Sequence, residues 1–214
     1  MNSPVLCGWY TPTYGHWLDK LLPSATAIGL DYDFIAAPEI EGRWEDATML
    51  KAGFAIEAMR RHPDRTLLFV DVDCLIAGSR QQIIELCDIA GDIGLFLRTR
   101  WNSHGKVRVR PRSGTMVIRP TRAARAFLEA WASTSREAPA MQVDEASLLV
   151  TLGRVPGCSI TLLPIEAVAI RFDHGIRPLI LHASASADGD LHTSGLAKLF
   201  GGRPFWRNWF PAEM

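Results

Sequence analysis

The run Leu67-Leu68-Phe69-Val70 is apolar at every position and stops on Asp71-Val72-Asp73. A strand with one wet face alternates apolar and polar residues. One that does not is covered on both faces, as in the middle of a largely parallel sheet with helices on either side. Val5 to Tyr10 and Tyr32 to Ala37 are further apolar and aromatic runs, closed by Thr11-Pro12 and Pro38. Ile93 to Leu97, Thr115 to Ile118, Ile160 to Leu163, Val168 to Arg171 and Leu179 to Leu181 continue the series.

Helical patterns lie between these strands. Trp17, Leu18, Leu21 and Leu22 have helical spacing, and one helix is expected over Ala47 to Arg61. Ser79 reads as the N-cap of a helix through Ile83, Ile84, Leu86 and Cys87. Thr121 caps another that carries Ala124, Phe127, Leu128 and Trp131, and Asp144 to Leu152 forms the next. The alternation predicts an α/β fold with a mixed, mainly parallel Rossmann-like sheet flanked by helices. Its site is expected in the crevice beyond the strands' carboxyl ends. With 214 residues, 48% of them hydrophobic, the chain is expected to be a single domain over 1–214.

Lysine plus arginine and aspartate plus glutamate both number 23, so no global field draws the chain to nucleic acid or an anionic membrane. Cys7, Cys74, Cys87 and Cys158 are scattered without a paired motif, which points to a reduced, cytoplasmic setting. The N-terminus lacks a signal-peptide pattern and no apolar run approaches ~20 residues, so a soluble or peripherally membrane-associated protein is expected. The tail Arg203-Pro204-Phe205-Trp206-Arg207-Asn208-Trp209-Phe210 mixes aromatic rings with arginines. It reads either as folded back on the domain or as a peripheral membrane contact.

Asp71 and Asp73 are two residues apart after a strand, so continued strand geometry projects both from one face, their Cα atoms roughly 6 to 7 Å apart. One hard divalent cation, Mg²⁺ or Mn²⁺, fits between such carboxylates and phosphate oxygens. The pair could equally end the strand in a solvated turn, or serve as nucleophile and acid/base of an aspartyl phosphatase. In that phosphatase family Gly-Thr usually follows, where this chain has Cys74 and Leu75.

Trp44 and Lys51 precede the aspartate pair, and Ser113-Gly114-Thr115-Met116-Val117-Ile118-Arg119-Pro120 follows it. In that order the segments resemble the GT-A nucleotide-diphospho-sugar transferases, especially glycogenin-like and lipopolysaccharide galactosyltransferase-like members. The resemblance runs from Val5 to His182. It implies a glycosyltransferase that uses Mn²⁺ or Mg²⁺ to move a sugar from a nucleotide-diphosphate donor, UDP-linked, to a glycan, lipid-linked or protein acceptor. Tyr10, Thr11, Lys51, Asp71, Val72, Asp73, Ser113, Gly114 and Lys198 would bind the donor. Asp71, Asp73 and His182 would hold the metal, with His192 as the alternative histidine. Asp144 or Glu145 would orient the acceptor or act as base.

Two positions depart from the family pattern. Arg112 stands where Asn is usual and Glu145 where Gln is common, both facing the donor sugar. Three readings therefore compete: transferase, aspartyl phosphatase, and a silent domain that binds a nucleotide sugar or glycan.

From Ile93 through Leu128 no acidic residue occurs, while nine lysines and arginines do. Val107-Arg108-Val109-Arg110 alternates, so a strand there puts both arginines on one face. That face either docks an anionic acceptor or phosphate, or guards a hairpin edge against pairing.

Overall fold

The computed structural model describes residues 3–40, 44–101, 105–138, 143–170 and 175–183. Its main sheet has six strands: β1 (Val5–Tyr10), β2 (Asp31–Ala36), β3 (Leu67–Val70), β5 (Ile93–Trp101), β6 (Val107–Ile118) and β7 (Ile160–Leu162). Their order is β2-β1-β3-β6-β5-β7, parallel except where β6 runs against both its neighbours. A smaller sheet of β4 (Cys74–Ile76), β9 (Ile180–His182) and β8 (Ala169–Ile170) lies beside it. The helices are α1 (Leu18–Ala27), α2 (Trp44–Thr48), α3 (Lys51–Arg61), α4 (Arg80–Cys87), α5 (Arg122–Glu137) and α6 (Asp144–Leu152).

The apolar run in β3 is there because both its faces are covered. Leu67 and Phe69 join one core with Ala55 of α3, Phe127 and Trp131 of α5 and Leu148 of α6. Leu68 and Val70 join another with Leu21 of α1 and Ile83 of α4. The helix starts follow local chemistry. Ser79 and Gln82 form a reciprocal capping box for α4, and the Thr121 hydroxyl accepts from the Ala124 N–H to begin α5.

Two local expectations are corrected. The helix expected over Ala47 to Arg61 is two helices, α2 and α3, broken at Met49 and Leu50. The Thr48 hydroxyl donates to the Glu45 carbonyl, a side-chain bond that competes with the helical ladder. Strand geometry also stops at Val70, so Asp71 and Asp73 lie in the turn between β3 and β4 and not on one strand face. Past Val70 the tie to β6 is a single backbone bond from Asp71 N–H to the Gly114 carbonyl, 2.9 Å.

β6 is one strand of twelve residues, longer than the two short stretches expected, and it carries a large irregularity. Leu95 of β5 faces Met116, but the next residue, Phe96, faces Arg112. Ser113, Gly114 and Thr115 are thus extra residues with no counterpart on β5. Such bulges redirect side chains, here towards the carboxyl end of β3.

Candidate functional site

At that end of the sheet lies a cavity of about 280 Å³. Tyr10 and Thr11 reach it from the end of β1, Asp71, Val72 and Asp73 from the β3–β4 turn, and Lys51 from the first turn of α3. Arg112 and Ser113 enter from β6, Asp144 and Glu145 from the start of α6, and His182 from the end of β9. Gly114 forms the backbone between the Asp71 and His182 side chains. The structure therefore brings together every predicted site residue it describes; Lys198 and His192 lie outside the described residues.

Lys51 organises the floor. It is 5% exposed, and its ammonium lies 2.7 Å from Asp71 Oδ1, 2.9 Å from Asp144 Oδ2 and 3.1 Å from Ser113 Oγ. Burial pulls its pKa down, but the Asp144 and Asp71 carboxylates outweigh burial and raise it, so the lysine is charged. Ser113 donates in turn to Asp144 Oδ2. Asp144 is held from behind, because its N–H donates to Thr48 Oγ1 and its carbonyl accepts from Trp131 Nε1 and Ser147 Oγ. The buried Trp131 thus fixes the start of α6 while filling the core.

His182 is set opposite Cys74 by the β4–β9 register, and Ala183 N–H donates to the Asp73 carbonyl beside it. Its Nε2 lies 2.8 Å from Thr115 Oγ1. Burial pushes its pKa down to about 4, so the ring is neutral at pH 7 with a nitrogen lone pair to offer. A Cβ on Gly114 would stand 3.0 Å from both His182 Nδ1 and Asp71 Oδ2, so these two atoms face each other across the space that glycine leaves open.

Asp73, Cys74 and His182 bring one potential ligand atom each within 4.8 Å of one another. Cys74, however, is buried in the apolar core under β4, and burial drives its thiol pKa well above the usual range. The donors that line the cavity are carboxylates and a neutral imidazole, a set that suits Mn²⁺ or Mg²⁺.

The two departures from the family pattern turn out to be partners. Arg112 Nη1 lies 3.0 Å from Glu145 Oε1, with 36% and 16% of the side chains exposed. Burial raises the Glu145 pKa against the pull of Arg112. Trp9, Tyr14 and Thr48 also line the cavity and were not singled out from sequence. Trp9 stacks on Phe54 of α3 with ring centroids 4.5 Å apart, which ties the end of β1 to the helix that carries Lys51. Thr115, which holds His182, lies directly after the Ser113-Gly114 pair. Its place on an apolar strand was the available signal.

No protein-family model matches the chain, and neither does any curated protein. Solved structures do. A glycosyltransferase involved in glycosylation of the major capsid of PBCV-1 superposes with TM-score 0.65 at 13% identity, over 86% of this chain and 95% of that one. The apo form of the glycosyltransferase GlyE of Streptococcus pneumoniae TIGR4 gives 0.56 at 14% identity, over 93% of this chain and 59% of its own. The galactosyltransferase LgtC, solved with donor and acceptor sugar analogs, gives 0.51 at 14% identity, over 95% and 94% of the two chains. The fold is that of the GT-A nucleotide-diphospho-sugar transferases. Among the described residues no helix is long and apolar enough to cross a membrane.

Proposed function

We propose that the chain is a divalent-metal-dependent glycosyltransferase that takes a sugar from a nucleotide-diphosphate donor, UDP-linked, and delivers it to a hydroxyl of a glycan, lipid-linked or protein acceptor. The observation that carries this reading is the cavity's charge. Asp71, Asp73, Asp144 and Glu145 face it, against Lys51 and Arg112, while His182 is neutral. A diphosphate would be repelled from such a site unless a divalent cation entered with it.

Asp73, His182 and the Asp71 Oδ2 that faces Gly114 would hold that ion. When bound, Mn²⁺ or Mg²⁺ supplies Lewis-acid stabilisation of the charge that grows on the departing nucleoside diphosphate. The remaining groups belong to this chain. Lys51 fixes Asp71 and Asp144 at once, so the metal side and the sugar side of the cavity share one rigid support. Tyr10 and Thr11, at the end of β1, lie where a nucleotide would enter. Asp144, Glu145 and Arg112 line the same cavity and would face the transferred sugar.

Calorimetry with UDP, with and without Mn²⁺, tests the first step. Binding that requires Mn²⁺ and is lost in Asp73→Asn supports the reading, and metal-independent binding refutes it. Slow Mn²⁺-dependent hydrolysis of a UDP-sugar then separates a transferase from a domain that only binds. A trapped aspartyl-phosphate would replace the transferase with a phosphatase.

A further inference from the structure

The two nitrogens of His182 have different surroundings. Nε2 lies 2.8 Å from Thr115 Oγ1, and both residues are buried. Nδ1 lies on the side of the ring that faces Asp71 Oδ2 across the gap at Gly114. Cys74 Sγ stands 3.3 Å from Nδ1 and 3.7 Å from Nε2. A sulfur in line with the Nδ1 lone pair would stand much farther from Nε2 than from Nδ1. At these nearly equal distances the sulfur packs against the ring and lies on the lone-pair axis of neither nitrogen. Among the described residues, Thr115 is therefore the in-plane partner of Nε2, and Nδ1 has no in-plane partner.

Thr115 is itself held firmly. Its backbone pairs with Val70 of β3, although it has no counterpart on β5. It is fully buried at the start of the core run Met116, Val117 and Ile118. A β-branched side chain has few rotamers, so the strand aims Oγ1. A hydroxyl buried there costs free energy unless it is bonded, and the His182 ring supplies that bond.

A neutral imidazole that binds a cation through one nitrogen carries its proton on the other. A hydroxyl oxygen can accept that proton's hydrogen bond, and a methyl group cannot. With Nε2 taken by Thr115, the nitrogen left for the cavity is Nδ1. We propose that Thr115 is a positioning residue for the divalent ion: its hydroxyl accepts from Nε2–H of His182 and so holds the ring in the orientation and tautomer that turn the Nδ1 lone pair towards Asp71 and Asp73. This rests on the metal-dependent reading above and adds the residue that makes His182 a ligand. Partners of this kind behind a ligating histidine carry about 10–100-fold in metal affinity.

The test compares the wild type with Thr115→Val, which keeps the shape and removes the hydroxyl, and with Thr115→Ser, which keeps the hydroxyl. Calorimetry of UDP binding at graded Mn²⁺ gives the concentration of the ion that binding requires. Pulsed electron paramagnetic resonance of the bound Mn²⁺ detects a coupled imidazole nitrogen. In Thr115→Val the required Mn²⁺ rises about 10–100-fold and the imidazole signal weakens, and Thr115→Ser recovers both. In a His182→Asn background Thr115→Val has no further effect, because it acts only through the ring. An unchanged Mn²⁺ requirement in Thr115→Val, or an equal loss in the His182→Asn background, overturns the proposal. Tighter Mn²⁺ binding by Thr115→Val also overturns it, since the hydroxyl would then compete with the ion for Nε2. Urea unfolding midpoints establish that the variants fold; if Thr115→Val does not, Thr115→Ala against Thr115→Ser makes the same comparison. A wild type that binds UDP without Mn²⁺, or Mn²⁺ without an imidazole signal, removes the metal site as assigned and Thr115 with it. A wild type that shows both, matched by Thr115→Val, removes Thr115 alone.

Discussion

Replacing Lys51 with Met tests the support on which the site is built. The substitution keeps an unbranched side chain of similar length in α3, so packing changes little, but it removes the one cation between Asp71 and Asp144. The Asp144 side chain is only 6% exposed, whereas Asp71 retains 35% and can be rescued by water. The cost therefore falls on Asp144. Stranding one member of a buried ion pair costs about 3–5 kcal/mol, and the hydrogen bond from Ser113 remains to offset part of it, so about 3 kcal/mol at pH 7 is expected. A second substitution identifies the cause. Asp144→Asn removes the stranded charge, so Lys51→Met/Asp144→Asn should recover part of the loss seen in Lys51→Met alone. Urea unfolding of the wild type and both variants at pH 7 measures this. A double variant no more stable than Lys51→Met would mean lost packing and would refute the electrostatic account.

Gly114→Ala would put a Cβ 2.7 Å from His182 Cε1, so the imidazole must move; Mn²⁺ affinity measured by calorimetry falls about tenfold or more, with a stability cost of about 1–3 kcal/mol. An unchanged Mn²⁺ affinity would take His182 out of the ligand set. For metal-free protein, the His182 pKa of about 4 against an ordinary 6.5 means that its contribution is fully present above pH 6.5 and is lost as pH falls towards 4. The wild type should therefore lose about 3 kcal/mol more than His182→Asn between pH 7 and 4, read from denaturant titrations at each pH. In a double-mutant cycle, Arg112→Ala and Glu145→Ala should couple by about 1 kcal/mol, because the partly exposed arginine is screened by solvent. A coupling near zero would leave the two as neighbours without a shared role.

The parts of the site legible in the sequence are those fixed by local punctuation. The apolar run of β3 announces its own end, so the aspartates after it could be placed at a strand terminus. Asp144 could be placed at a helix start, which the structure bears out at α6. His182 was legible as the end of a short apolar strand, β9. What escaped was long-range. Arg112 and Glu145 are thirty-odd positions apart and read singly as two anomalies, yet they form one ion pair. The break between α2 and α3 depends on a hydroxyl turning back to its own helix, and Thr48 gives no periodic signal of that. The period of two ends at Val70, where the chain turns, so an apolar run alone does not say how the aspartates after it are oriented.

The antiparallel course of β6 explains why a cavity forms here. A parallel strand beside β3 would end at the same edge, with its own carboxyl terminus and connecting loop. β6 instead arrives at that edge from the β5–β6 ribbon and crosses it in mid-strand, carrying Arg112 to Thr115 past the carboxyl end of β3. Once Ser113, Gly114 and Thr115 are released from β5, each takes a different task. Ser113 joins Lys51 to Asp144, Gly114 leaves the gap between Asp71 and His182, and Thr115 holds the imidazole. The bulge therefore supplies the polar floor that a regular ladder would have spent on pairing with β5. It also leaves Arg112, the residue just before Ser113, at the junction between the cavity and the ribbon formed by β5 and β6.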